Sequence, residues 1–223
     1  MNRRLGGWAV SAMAVVLTAY PANRLSAQHG SVGVQLAFGD YREVSSDLHY
    51  RGGGGGVAAS FTYKKLGIEG SVLGLTYDPV AGSSATASFK ATQLDVRVRY
   101  YIAGPVSAEV GFVNRKMKPE FEAQSVGAVR AGARMSYPLG PGVNMGLRAG
   151  MLFGSKFSGG GTVSGVGALE LGLNMAVDAL RGRLRLTGDY DFQRIARTTN
   201  GGGGDVPVPI QQAMGRIGLA VAF

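Results

Sequence analysis

Cysteine is absent from the 223 residues, and there are only two histidines and one tryptophan. Without cysteine there are no disulfides and no thiolate metal sites. The two histidines, His29 and His49, lack the spacing of a metal-binding pair. Beyond residue 27 no uncharged apolar run reaches the roughly 18 residues of a membrane helix, which excludes a polytopic helical protein. A helical soluble domain is also disfavoured. Glycine occurs 37 times, spread along the chain, and costs about 1 kcal/mol per helix position relative to alanine. Three glycine runs, 52–56, 159–161 and 201–204, lack the following Gly-Lys-Ser/Thr of a phosphate-binding loop and read as flexible connections. No catalytic, cofactor or metal constellation emerges. The nearest to one is His49 with Ser45, Ser46 and Asp47, within reach of Asp40, Asp78 and Asp205. A histidine beside carboxylates or serines serves in some hydrolases, and this is the enzymatic alternative.

The first 27 residues read as an export signal. Arg3 and Arg4 precede an uncharged stretch from Trp8 to Tyr20, Pro21 breaks it, and Leu25-Ser26-Ala27 offers a cleavage site. About 13 apolar residues fall short of the roughly 20 that a spanning helix needs. Residues 28–223 then form one domain, and loss of Arg3, Arg4 and Arg24 lowers the formal charge of +9 by three.

In that domain the recurring signal is period-two alternation. Ten segments carry it: Ser31 to Tyr41, Val57 to Lys64, Gly67 to Tyr77, Phe89 to Tyr101, Val106 to Arg115, Gln124 to Tyr137, Val143 to Phe153, Val163 to Asp178, Arg183 to Ile195 and Ile210 to Phe223. Their lengths bracket the roughly 9 to 11 residues of a tilted membrane strand. Tight turns at Lys65-Leu66, Ala103-Gly104, Leu139 to Gly142 and Arg181-Gly182 alternate with longer connections at Arg42 to Gly56, Asp78 to Ser88, Lys116 to Ala123, Gly154 to Thr162 and Ala196 to Pro209. Short turns at one end and long loops at the other are the asymmetry of outer-membrane barrels.

One phase of each segment is apolar. The other holds Glu69, Asp95, Arg97, Arg99, Glu109, Arg130, Arg134, Arg148, Glu170, Arg185, Asp189, Asp191 and Arg216, of both signs and rich in arginine, a set suited to pairing in a crowded interior. A soluble barrel with an apolar inside shares this period. Membrane is favoured by the scarcity of charge on the apolar phase and by aromatics at both strand ends. Tyr63, Tyr100, Tyr101, Tyr137 and Phe223 mark one end, and Phe38, Tyr77, Phe89, Phe112, Phe153 and Phe192 the other. Inward glycines at 132, 146, 150, 172 and 218 leave room for water. The turns suggest that Asp178 faces Arg185, Arg97 faces Glu109, and Phe61 covers Gly70.

The expected fold is therefore all-β, a transmembrane antiparallel up-and-down barrel of ten strands. The alternative is eight strands with one hairpin in a loop, because Leu73 and Leu75 share the inward phase of Glu69. The domain resembles the small outer-membrane β-barrel proteins of the OmpA/OmpX, porin-family type. The resemblance rests on the signal, the strand–turn–strand–loop rhythm and the terminal Ile217, Leu219, Val221, Phe223 pattern. It implies residence in the bacterial outer membrane, with membrane lipid and the barrel assembly machinery as partners, the latter reading that terminal pattern. The arginines are dispersed and accompanied by carboxylates, so no nucleic-acid partner is expected. The functions this leaves are a structural or surface-contact role, a narrow pore for small anions, or the hydrolase.

Overall fold

The computed structural model describes residues 29–118, 121–200 and 204–223; the export signal lies outside them. Eleven strands follow one another: β1 (His29–Glu43), β2 (Leu48–Tyr63), β3 (Leu66–Pro79), β4 (Phe89–Ala103), β5 (Val106–Lys118), β6 (Val126–Gly140), β7 (Val143–Phe157), β8 (Thr162–Ala179), β9 (Leu184–Asn200), β10 (Asp205–Pro207) and β11 (Ile210–Ala222). Each long strand pairs antiparallel with its neighbours, and β11 pairs with β1, so ten strands close an up-and-down barrel. The three-residue β10 extends the β9 hairpin beyond the wall. All ten segments read from the alternation are wall strands, and the eight-stranded alternative does not hold.

The strands run further than the alternation suggested. The expected long connection from Arg42 to Gly56 is a turn at residues 44–47, and Gly52 to Gly56 are mid-strand, paired with Gly39 to Gln35 on one side and Tyr77 to Leu73 on the other. This corrects the reading of that run as flexible loop. Alternation needs side chains to be visible, and five successive glycines erase it. Their inward positions are bare because β3 approaches closely: a Cβ at Gly54 or Gly56 would lie 1.9 Å from a β3 carbonyl oxygen.

The turns also moved. The β2–β3 turn is at Lys64-Lys65, with Lys64 at φ 52°, so Phe61 pairs with Ile68 and Ala59 with Gly70. A bulge between Tyr101 and Ala103 places Arg97 opposite Gly111 and Arg99 opposite Glu109. Asp178 does face Arg185. In β7 a second bulge contains Gly154 at φ 57°. It inverts the phase, so Phe153 points out and Phe157 points in.

The exterior is apolar from wall to wall. Val34 and Leu36 are each 62% exposed, and Leu147, Leu171, Leu186, Ile217 and Leu219 behave alike. A surface of this kind fits hydrocarbon, whereas a soluble monomer rarely exposes a contiguous patch above a few hundred Å². Outward charges in the strands, such as Arg51, Lys90, Lys118 and Lys156, lie near the loop ends. The seam closes at the final residue: Phe223 exchanges both backbone hydrogen bonds with Gly30 (2.8 and 2.9 Å), and its ring lies over that glycine.

Candidate functional site: the barrel lumen

The lumen has three layers, each set by which inward residues meet around the circumference. The middle layer is ionic. Arg97 reaches Asp95 (3.0 Å), Glu109 (3.3 Å), Glu170 (3.3 Å) and Asp191 (3.6 Å). Arg130 bridges Asp95 (3.0 Å) and Glu170 (2.9 Å). Arg134 bridges Glu69 (2.8 Å) and Glu109 (2.9 Å), and Arg99 joins Glu69 at 3.3 Å. Arg148 and Arg216 both hold Asp191, and Arg148 lies 3.9 Å from Asp189. Six arginines and six carboxylates thus form one continuous, charge-balanced network. Arg185 stands apart, paired with Asp178 (2.7 Å) near the turns.

Glycine makes this packing possible. Around the wall, charged positions alternate with bare ones: Arg148–Gly172–Asp191 and Arg97–Gly111–Arg130 are directly paired rows, as is Glu109–Gly132–Gly150–Glu170. Long side chains lie sideways over the glycines and meet there. A Cβ at Gly172 would come within 2.6 Å of both Arg148 Nε and Asp191 Oδ1. The inward glycines at 132, 150 and 172 are therefore covered by neighbouring strands and side chains, which corrects their reading as space for water.

Toward the loops the lumen is filled by an aromatic and aliphatic plug. Phe89 stacks on Tyr77 (4.8 Å between centroids, 15° between planes) and on Phe121 (4.7 Å, 26°), while Tyr50 and Tyr41 meet Phe89 edge-on at 5.0 and 5.9 Å. Beneath them Leu73, Leu75, Val113 and Met117 are buried. The Tyr77 ring lies across Gly39 and Gly52, its directly paired row, where any Cβ would collide with it. Gln212 donates to the Tyr77 hydroxyl at 3.3 Å. Tyr77 and Phe89, expected in an outward girdle, are thus inside. Both hold the inward phase of their strands, a signal already present in the alternation with Glu69 and Gln93. Between plug and network, buried Arg115 donates to Gln93 and Gln193, each at 3.1 Å. Arg197 holds the Gly160 carbonyl (2.6 Å) and Gln124 at the loop end. Both arginines escaped the sequence reading.

Toward the turns the lumen opens into a vestibule of about 790 Å³ whose mouth is marked by Lys64, Lys65, Gly104 and Gly182. Its floor is the ionic layer at Asp95, Arg97 and Arg216, and the lining does not pass beyond it. The vestibule is lined by charges of both signs and reaches as far as that layer.

His49 lies outside the lumen. It sits on the outer face at the loop end, where Asp40 accepts from its ring at 3.0 Å and is shared with Arg51 at 3.2 Å. Ser45 donates to the Pro207 carbonyl (2.6 Å), and Asp47 meets Arg42 at 3.5 Å. The structure brings Asp40 to His49, and ties Ser45 and Asp47 to other groups. Among the described residues no cluster of three or more metal-ligating side chains occurs.

No family model matches the chain, and no curated protein matches it. Solved structures do. Neisserial surface protein A aligns over 87% of this chain and 97% of its own at 12% identity, with a TM-score of 0.41. The outer membrane protease OmpT from Escherichia coli aligns over 88% and 96% at 7% identity and TM-score 0.49. The attachment invasion locus protein Ail of Yersinia pestis, in complex with the heparin analogue sucrose octasulfate, aligns over 88% and 99% at 12% identity and TM-score 0.40. The chain's own geometry, ten antiparallel strands closed on themselves with an apolar outside and an ionic and aromatic inside, makes the fold a transmembrane up-and-down β-barrel.

Proposed function

We propose that the protein is a non-conducting barrel of the bacterial outer membrane, with a structural or surface-contact role, its four-residue turns and loops of the β1–β2 end facing outward from the cell. The observation that carries this is the double closure of the lumen. A pore needs a continuous polar path, and here a neutral ionic layer is backed by stacked aromatics. Desolvating a permeant anion in the ionic layer is costly, because each of its six arginines already has a carboxylate. Ten strands enclose little more than side chains fill. The export signal and the apolar exterior support the location. The terminal Ile217, Leu219, Val221 and Phe223 share the exposed outer face at the seam, which supports reading them as the assembly signal.

Two measurements test the proposal. Cold and boiled electrophoresis of the folded domain in detergent should give a faster, protease-resistant unboiled band; a chain soluble without detergent and without a shift would invert the lipid-facing assignment. Planar-bilayer recordings should then show no unitary conductance, and sustained open steps would favour the pore. A hydrolase reading would require His49→Ala to abolish cleavage of a lipid or peptide substrate. Asp40 is the carboxylate partner that such a histidine would use, while Ser45 is turned to the Pro207 carbonyl.

A further inference from the structure

On the outer face, just beyond the apolar belt at the loop end, four lysines lie on β4, β5 and β7. Lys90 of β4 is directly paired with Lys118 of β5, and Lys116 follows two residues below on the same face. One strand further round, β6 presents bare Gly127, and beyond it Lys156 of β7 is directly paired with that glycine. Asn114 of β5 stands directly opposite Gly127 on the other side, so Lys156 and Asn114 flank a notch over that glycine, with strands about 4.8 Å apart, and Lys116 lies two residues further toward the loops. All four lysines are exposed, and among the described residues none has an ion-pair partner. Like charges directly opposite on paired strands destabilise a sheet, and Lys90–Lys118 is such a pair. Directly below, Phe112, Val129 and Phe153 form one outward apolar row across β5, β6 and β7.

We propose that this surface is a binding site for a phosphorylated lipid of the outer leaflet, with phosphate held by Lys90, Lys116, Lys118 and Lys156 and acyl chains laid on the Phe112–Val129–Phe153 row. The chemistry is complementary at both levels. Basic side chains at the height of the headgroups attract anionic lipid, and the step from cation to aromatic shelf coincides with the step from headgroup to hydrocarbon. A phosphate between them offsets the repulsion of the directly paired Lys90 and Lys118. The site rests on the membrane assignment above and is independent of whether the lumen conducts.

The test is binding of bis-phosphorylated lipid A to the folded domain in neutral detergent, read by native mass spectrometry and by titration. The dephosphorylated lipid and millimolar inorganic phosphate are the comparison ligands. Changing all four lysines to glutamine should weaken lipid binding at least tenfold, while Lys64→Gln with Lys65→Gln at the opposite rim should leave it unchanged. In lipid-free detergent Lys118→Gln should cost no heat stability, and a cost should emerge only when the lipid is present, a sign that a purely structural lysine would not give. Equal binding by the fourfold variant, equal binding of the dephosphorylated lipid, or displacement by inorganic phosphate alone would each overturn the proposal. Should the fourfold variant fail to fold, Lys118→Gln and Lys156→Gln singly must each weaken binding. The cold-versus-boiled shift reports failure of the barrel itself separately.

Discussion

Asp191 is the carboxylate on which the ionic layer turns, and its replacement by asparagine is the sharpest test of that layer. Its side chain is 8% exposed and is shared by Arg148, Arg216 and Arg97. Among the described residues Arg216 has no second carboxylate within 4.0 Å, Asp189 standing opposite it in register, and Arg148 keeps only the distant Asp189 at 3.9 Å. Asp191→Asn therefore leaves three arginines competing for a neutral amide in a layer that was balanced, six against six. Breaking a buried pair from one side costs about 3–5 kcal/mol, because the remaining charge stays desolvated. Urea slopes for small domains are about 1–3 kcal/mol per molar. Taking values near 4 and 2, the midpoint should fall by about 2 M. The assay is the fraction of heat-modifiable band against urea for the domain folded into vesicles. Adding Arg216→Met restores neutrality and removes the worst orphan, so the double variant should recover at least half of the loss. A single variant within about 0.5 M of the parent, or a double variant worse than the single, would refute the view that charge balance holds this layer together.

Four other outcomes follow from the same geometry. Gly54→Val should abolish folding, since its Cβ would lie 1.9 Å from the Gly74 carbonyl, whereas Gly53→Ala, with its nearest contact at 3.7 Å, should fold normally; the yield of heat-modifiable protein measures both. Tyr77→Ala with Phe89→Ala should cost about 3–5 kcal/mol per ring at most and leave the ionic layer as the remaining barrier, so bilayer recordings should show leak only when Asp191→Asn is added. Cysteines at 178 and 185 should oxidise to a disulfide, because directly paired strand residues sit about 4.5–5.5 Å apart. Cysteines at 97 and 109 should not, and 99 with 109 should, as mass spectrometry of the folded protein would show. Gly30→Val should displace the Phe223 ring and slow assembly into membranes, measured as the rate at which the heat-modifiable form accumulates.

Which face of each strand looks inward was legible in the sequence. Side-chain direction in a strand is a local, period-two property, so Glu69, Arg97, Glu170 and Asp191 could be placed inside from the residues beside them. The number of wall strands followed from the same pattern together with the turn residues between them. Even Tyr77 and Phe89 carried the inward phase, and it was their place at strand ends that suggested an outer girdle. Other features were decided only by the tertiary structure. A run of five glycines has no side chains to show a phase, and only the approach of β3 to Gly54 and Gly56 makes it a strand. One-residue bulges near Tyr101 and Gly154 shift the register without any strong local mark. The ionic layer joins residues far apart in sequence, such as Arg134 with Glu69 and Arg130 with Asp95. Alternation fixes direction but not height or angle around the barrel, and those depend on the closure of all ten strands at once.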